Sequence, residues 1–323
     1  AHAARAEAMG FDGLQVPDAI HDGLLLSALA LNATRSLIVG TAVLVAFPRS
    51  PMITAVAAWD LQKMSAGRFE LGLGTQIKAH IERRFSMPWS RPAARMRELV
   101  QAVRAIWDCW DRGEKLDFQG EFYQHTLMTP MFIPPRSEHP KPPIYIAGVG
   151  PLMTEVAGEV GDGFFLHPFA TEKSMNELSL AAIGRGLAKA GRAREDFSVA
   201  AQVITATGLD DRTLEESVFG ARSQIAFYAS TPAYLPVLQC HGWDDLHVEA
   251  KRLSKEGKWM EMAGLVDDEI LHTIAVVGTP AEVAGKIAER FQGRVERISP
   301  VAYAPDVELL AELCREIRAV VTQ

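Results

Sequence analysis

Gly67-Arg68-Phe69-Glu70-Leu71-Gly72-Leu73-Gly74 decides the fold of this chain. A short apolar run of this kind reads as a buried strand that ends in a glycine-rich loop. The segments around it repeat the pattern. Upstream, Leu37 to Phe47 is an apolar run that closes in Phe47-Pro48-Arg49-Ser50-Pro51. Downstream, Pro143-Ile144-Tyr145-Ile146-Ala147 runs into Gly148-Val149-Gly150-Pro151. Strand ends of this kind line up at one rim of a parallel barrel, where ligands bind.

Working outward, strands alternate with helices. Ala1 to Met9 is a helix stopped by Gly10, and Gly13 to Val16 is a strand. Helices are expected over Leu24–Ala33, Thr54–Ser65, Pro92–Arg112, Pro151–Val160 and Ser174–Ala190. Strands are expected over Phe69–Leu73, Ile144–Ala147, Gly163–His167, Phe197–Thr207 and Val295–Val301. In the long helix, Met96, Leu99, Val100, Val103, Ile106, Trp107 and Trp110 fall at helical spacing. Phe118 to Met131 reads as a hairpin or irregular excursion, and Ile133 to Pro143 as a proline-rich loop. Thr279-Pro280-Ala281-Glu282 has the residues of a capping box and opens another helix, and Val307 to Val320 closes the chain.

Alternation of this kind argues for an α/β fold with a parallel sheet covered on both faces. Seven strands are legible. A barrel needs one more ahead of the first helix, and the expectation is that the numbered chain omits it. The fold is therefore read as a (β/α)8 TIM barrel, one domain over residues 1–323, with a mostly helical insertion at about 209–270. An open doubly wound sheet is disfavoured, because Gly72-Leu73-Gly74 lacks the third glycine of a dinucleotide-binding turn.

Of the 323 residues, 48% are hydrophobic and 23% charged, and the net charge is −7. No long basic block points to nucleic acid or an anionic membrane. No run of about 18 apolar residues suggests a membrane span, and the start of the sequence has no secretory signal. Cys109, Cys240 and Cys314 are odd in number and lack metal-ligand spacing, so no metal is expected. Unpaired thiols fit a reducing compartment, and the reading is cytoplasmic.

Gly67–Gly74, Ala147-Gly148-Val149-Gly150-Pro151 and Ala157-Gly158-Glu159-Val160-Gly161-Asp162-Gly163 together resemble the luciferase-like monooxygenase superfamily. Within it the chain looks most like the oxidoreductases that use the deazaflavin coenzyme F420. From the residues alone, Gly148–Pro151 is already the best anion site, because backbone N–H groups and a helix start face a ligand there. The resemblance puts the cofactor phosphate at or near Gly148, Val149, Gly150, Pro151, Met153 and Thr154. It puts a non-prolyl cis peptide, a bulge behind the middle ring of the flavin, between Ala42 and Val43. Val45, Thr75 and Asp18 complete the cofactor contacts that the resemblance implies.

Two acid–base positions of the family are altered here. Ala19 follows Asp18 where a histidine is usual, and Ile77 stands where sugar-phosphate enzymes have glutamate. That argues against a sugar-phosphate substrate. His80 and His21 are then the catalytic candidates. Phe47, Trp89, Phe165 and Tyr303 are read as a pocket wall, and His167 as a substrate-side residue at the rim. Lys78, Arg83, Arg84 and Arg49 are candidates to meet the acidic tail of the coenzyme. Lys78 to Phe85 is read as a polar loop.

The resemblance implies hydride transfer between F420 and a small organic substrate, in a homodimer. An FMN-dependent monooxygenase using oxygen and a non-catalytic flavin-binding protein are the rival readings.

Overall fold

The computed structural model describes residues 1–303 and 306–321. The chain groups into two compact units. The first comprises Ala1–Phe165 and Ala182–Phe197, and the second comprises Leu166–Ala181 and the described residues from Ser198 on.

In the first unit the strands are β1 (Gly13–Val16), β2 (Ile38–Thr41), β3 (Leu44–Val45), β4 (Phe69–Gly74), a small antiparallel pair β5 (Phe118–Gln119) and β6 (Gln124–His125), then β7 (Ile144–Ala147) and β8 (Gly163–Leu166). The order β1-β2-β4-β7-β8 is parallel throughout, and β3 also lies on β4. All six residues of β4 are buried, as a strand covered on both faces requires. In the second unit β9 (Ser198–Thr207) carries β10 (Val276–Gly278) and β11 (Arg297–Ala302), again parallel.

The helices follow from local chemistry. Pro92–Arg112 buries Met96, Leu99, Val100, Val103, Ile106 and Trp107, and it stops at Gly113, whose φ of 73° suits glycine. Pro51–Met64 starts where the Ser50 hydroxyl accepts from the Ile53 N–H. Thr279 and Glu282 form the reciprocal capping box of Pro280–Phe291. Five helices, from Asp211–Ala229 to Asp268–Ile274, occupy most of the stretch read as helical.

Five expectations need correction. Leu37–Phe47 is two short strands, because the ladder breaks after Thr41. Val276–Gly278, where no element was expected, is the strand β10, parallel to β9. Lys78–Arg83 is a short helix rather than a loop. The hairpin covers only 118–125, and a 3-10 turn follows at Pro130–Phe132. The helix expected from Ser174 begins at Glu172 and passes through a π-helical stretch, Met175–Leu180.

Three long-range polar contacts lock the first unit. Arg68 sits half-buried behind β4. Its Nε donates to the Ser65 carbonyl (2.9 Å), Nη1 to Leu37 O (2.8 Å) and Thr34 Oγ1 (3.2 Å), and Nη2 to Leu31 O (3.1 Å) and Thr34 O (3.2 Å). It thereby satisfies the orphan carbonyls after helix Gly23–Asn32. Glu98 accepts the N–H groups of Glu121, Phe122 and Tyr123 and fastens the hairpin turn to the long helix.

Glu7 is the third. One of its oxygens accepts from the N–H groups of Arg35, Ser36 and Leu37 and from the Ser36 hydroxyl. The Ser36 and Arg35 N–H groups hold its pKa down at about 2. A carboxyl with a depressed folded pKa adds stability above its unfolded value, and that stability is lost as pH falls through the folded value. Glu7→Gln is therefore expected to lower Tm near neutral pH. Thermal melts from about pH 7 down to about pH 3 should show the gap to the parent closing on acidification; a gap independent of pH would contradict the assignment.

Candidate functional site

The break between β2 and β3 is the centre of the first unit's site. Gly40 pairs with Glu70 and Leu44 with Leu73, so the offset falls from 30 to 29 and three residues, 41–43, face two, 71–72. This is a bulge, the irregularity that re-aims chain at a strand end. The peptide bond between Ala42 and Val43 is cis. Buried Thr41 replaces the lost ladder bonds. Its hydroxyl donates to Gly72 O (2.8 Å) and accepts from the Gly72 N–H (3.0 Å). On the opposite side the Ala42 N–H donates to Val16 O (2.8 Å) and the Asp18 N–H to Val43 O (3.3 Å).

Gly72 and Gly74 are explained by this bulge. A Cβ at Gly72 would lie 1.8 Å from Thr41 O and 2.5 Å from a ring carbon of Phe165, and one at Gly74 would lie 2.3 Å from Val43 Cγ2. These glycines serve close backbone approach within the protein.

Asp18, expected to touch cofactor, is engaged by the protein. Oδ1 accepts from the Gly23 N–H (3.2 Å), and Oδ2 accepts from the Val45 N–H (3.1 Å) and faces Arg49 Nη2 (3.4 Å). Arg49 pairs more closely with Asp22 (2.7 Å). Burial raises the Asp22 carboxyl, but the Arg49 guanidinium and the Leu25 and Leu24 N–H groups outweigh it and leave the pKa below its ordinary value. Asp18 thus fixes the position of Val45, Asp22 caps its helix and holds Arg49, and neither carboxylate is left without a partner.

Thr75 closes on its neighbour, its hydroxyl donating to Gln76 O (2.9 Å), with Gln76 at a φ of 57°. His80 is exposed on helix Lys78–Arg83, and His21 is exposed in the loop after β1. Arg84 donates to Ala19 O (2.7 Å) and ties together the two segments that carry these histidines. Of the four cations read as tail contacts, Arg49 and Arg84 are engaged as described and Lys78 lies 3.8 Å from Glu82, whereas Arg83 has no partner among the described residues.

The pocket wall is corrected in part. Phe47 has no accessible surface. Its ring meets Trp89 edge-on at 5.8 Å, and the Arg95 guanidinium lies over it at 4.6 Å. Phe165 is buried and stacked on Tyr145 at 5.0 Å. Trp89 is half-buried. Arg95 was missed by the sequence reading. It is buried and donates to the Tyr123 hydroxyl (2.9 Å) and Pro88 O (2.8 Å). Its signal was present, because it lies four residues before Leu99 on the apolar stripe of its helix.

At the helix start expected to hold an anion, helix Pro151–Val160 has Gly150 as its N-cap, no side-chain cap and no acidic residue in its first turn. Asp22, Ser50, Asp210, Asp267 and Thr279 cap five other helices, whereas Pro92–Arg112 and Asp244–Lys255, among others, also start without a side-chain cap. A Cβ at Gly150 would meet nothing within 4 Å, whereas one at Gly148 would run into Met153 at 2.6 Å. Val149 and Pro151 are exposed, Met153 is buried, and buried Thr154 donates to Gly150 O (3.0 Å).

His167 belongs to the second unit. Its Nδ1 accepts the Phe169 N–H (3.2 Å), its Nε2 lies 2.9 Å from the Tyr234 hydroxyl, and burial lowers its pKa to about 3. The same unit has a separate cavity of about 490 Å³ lined by Thr171, Lys173, Glu177, His241 and Arg290 among others. None of the residues predicted from the sequence lines it, and Arg290 there is hydrogen-bonded to the carbonyls of Ile274 and His272. Among the described residues no acid, histidine or cysteine cluster suits a metal ion, and no helix is long and apolar enough to cross a membrane.

The family model described as luciferase-like monooxygenase matches residues 1–297. The chain belongs to the luciferase-like monooxygenase family. An uncharacterized protein of Mycobacterium tuberculosis is 50% identical over 97% of this chain and 92% of its own length. A relative named 5,10-methylenetetrahydromethanopterin reductase, from Archaeoglobus fulgidus, is 30% identical over 91% of this chain and 86% of its own. Among solved structures, the coenzyme F420-dependent tetrahydromethanopterin reductase of Methanopyrus kandleri aligns over 99% of this chain and 94% of its own, with a TM-score of 0.80 at 21% identity. This luciferase-like chain shares that fold, a TIM-type α/β barrel with a curled parallel sheet.

Proposed function

We propose that this protein is an oxidoreductase that transfers a hydride between coenzyme F420 and a small organic substrate. The observation that carries the reading is the open start of helix Pro151–Val160, where uncapped N–H groups and the helix dipole await a phosphate. The name of one relative supports the choice of cofactor, an F420-dependent glucose-6-phosphate dehydrogenase of Intrasporangium calvum that is 28% identical. Ile77 argues against a sugar phosphate, as set out above. When bound, the deazaflavin would supply hydride chemistry alone. The protein's part is positional. Gly148–Thr154 would hold the phosphate, the 42–45 segment would support the ring, and His80 or His21 would carry a proton.

A second reading, an FMN-dependent monooxygenase, is favoured by likeness to solved monooxygenases. One of these, an EDTA monooxygenase, gives a TM-score of 0.73 at 13% identity. Titration with F420 and FMN in parallel, followed by tryptophan fluorescence, separates the two readings, and preference for FMN would overturn the first. Gly150→Asp tests the site itself. Gly150 has a φ of −93° and free space, so aspartate caps the helix and stability stays within about 0.5 kcal/mol. The new carboxylate occupies the place of the phosphate, and binding should weaken by about 30-fold or more, roughly 2 kcal/mol. Unchanged affinity would put the phosphate elsewhere.

The reading includes a homodimer. Leu25 and Leu29 on helix Gly23–Asn32, and Ile53 and Val56 on the adjoining Pro51–Met64, point outward. Sedimentation should show a dimer, and Leu29→Lys with Ile53→Lys should make it monomeric. A monomeric parent would refute this part.

A further inference from the structure

We infer that Arg49 is a positioning residue that acts through the Asp18 carboxylate on Val45 and so, on the cofactor reading proposed above, sets the 42–45 segment on which the ring would rest. The local sequence gives Arg49 a fixed base. It closes the turn Ala46-Phe47-Pro48-Arg49, in which its N–H donates to Ala46 O (3.0 Å). The next residue, Ser50, caps helix Pro51–Met64, which is anchored by buried Pro51, Ala55 and Ala58. From this base the guanidinium reaches the loop after β1. There a single nitrogen, Nη2, is shared between Asp22 (2.7 Å) and Asp18 (3.4 Å).

The two carboxylates serve different ends. Asp22 Oδ1 accepts the Leu24 and Leu25 N–H groups (2.9 and 3.0 Å) and so caps helix Gly23–Asn32. Asp18 faces the bulge. Its N–H donates to Val43 O (3.3 Å), and its Oδ2 accepts the Val45 N–H (3.1 Å). One residue past the end of β1 thereby grips the segment at both 43 and 45. The oxygen that holds Val45 is the one that faces Arg49.

Distances show why a cation is needed there. The Asp18 oxygens lie 3.2 Å from the Gly23 N, 3.1 Å from the Val45 N and 3.4 Å from Arg49. Charge-assisted hydrogen bonds are usually shorter, about 2.7–2.9 Å. At the longer distances a hydrogen bond is weak, whereas Coulomb attraction falls only as the inverse of the separation. The Asp18 side chain is 12% exposed and that of Arg49 23%, so water screens the pair only in part.

Among the described residues no other cation pairs with Asp18 or Asp22. Because both carboxylates meet at one nitrogen, its removal leaves two like charges facing each other across the vacated place. Asp22 is tied down by its helix, so Asp18 is the one that yields, and Val45 loses its acceptor. A single shared nitrogen needs charge rather than a fork, so lysine can stand in for arginine here, unlike at Arg68. The same pairing takes Arg49 out of the cations available to an acidic coenzyme tail.

Variants of the full chain separate the two arms. Asp22→Asn removes the closer ion pair, keeps a good helix cap and leaves Asp18 with Arg49. Asp18→Asn and Arg49→Met break the arm that reaches Val45. In the cofactor-free protein, hydrogen exchange of the Val45 amide should quicken by about tenfold in these two and by less than about threefold in Asp22→Asn and Arg49→Lys. Affinity for F420 should fall about fivefold in Asp18→Asn and in Arg49→Met, and little further when the two are combined, because both remove one link. Unchanged Val45 exchange in Arg49→Met, an equal effect of Asp22→Asn, or additive affinity losses in the double variant would each overturn the inference. A parent that binds no F420 would instead refute the cofactor reading, and Val45 exchange would still decide whether Arg49 acts through Asp18.

Discussion

Gly72→Ala is expected to destabilise the protein by about 3 kcal/mol or more, a large share of the roughly 5–15 kcal/mol typical of a folded domain. A Cβ there would stand 1.8 Å from Thr41 O, and neither side can move cheaply. Thr41 is held by two hydrogen bonds between its hydroxyl and the Gly72 backbone, and the Phe165 ring, 2.5 Å away on the other side, is stacked on Tyr145. Relief requires the bulge and β4 to separate. Gly113→Ala is the contrast. Its φ of 73° is unfavourable for alanine, but a Cβ there meets nothing within 4 Å, so the loss should be about 1 kcal/mol. Denaturant midpoints of the two variants measure the difference. A Gly72→Ala protein within about 1 kcal/mol of its parent would refute the close-approach account.

Arg68→Lys is expected to cost about 3 kcal/mol, nearly as much as Arg68→Met. The guanidinium reaches four carbonyls and one hydroxyl from three nitrogens. A lysine keeps the charge but offers its three N–H groups from a single nitrogen, which cannot span oxygens spread around a guanidinium fork, so most of them lose their partner at a half-buried helix end. If lysine restored more than half of the stability lost in Arg68→Met, charge rather than the fork would be the operative property. Urea unfolding of the three proteins decides it, and salt should change the result little because the partners are uncharged.

Much of the fold could be read in advance because its signals are local. Pro92–Arg112 was legible from its apolar stripe, and the start of Pro280–Phe291 from its capping box. The failures share a cause. Val276–Gly278 is three residues long, too short for a period to show, and is a strand only because β9 lies beside it. Lys78–Arg83 has no side-chain cap to announce it. The bulge at 41–43 was expected from resemblance alone, since nothing local in Gly40–Val45 marks it; its cause lies 31 residues on, in Gly72. The same holds for the sites. Glycines, helix starts and histidines could be named, but Asp18 and Phe47 proved to be engaged within the fold, while the contacts of Arg95 with Tyr123 and of His167 with Tyr228 and Tyr234 depend on partners far off in sequence.

The crowding around β4 bears on how such a protein can diversify. A Cβ at Gly72 would stand 1.8 Å from Thr41 O and one at Gly74 2.3 Å from Val43 Cγ2, whereas one at Gly184 or Gly285 meets nothing within 4 Å. Among descendants of this chain, replacements of glycine should therefore gather at such open helical positions, while the two glycines of the strand stay as they are.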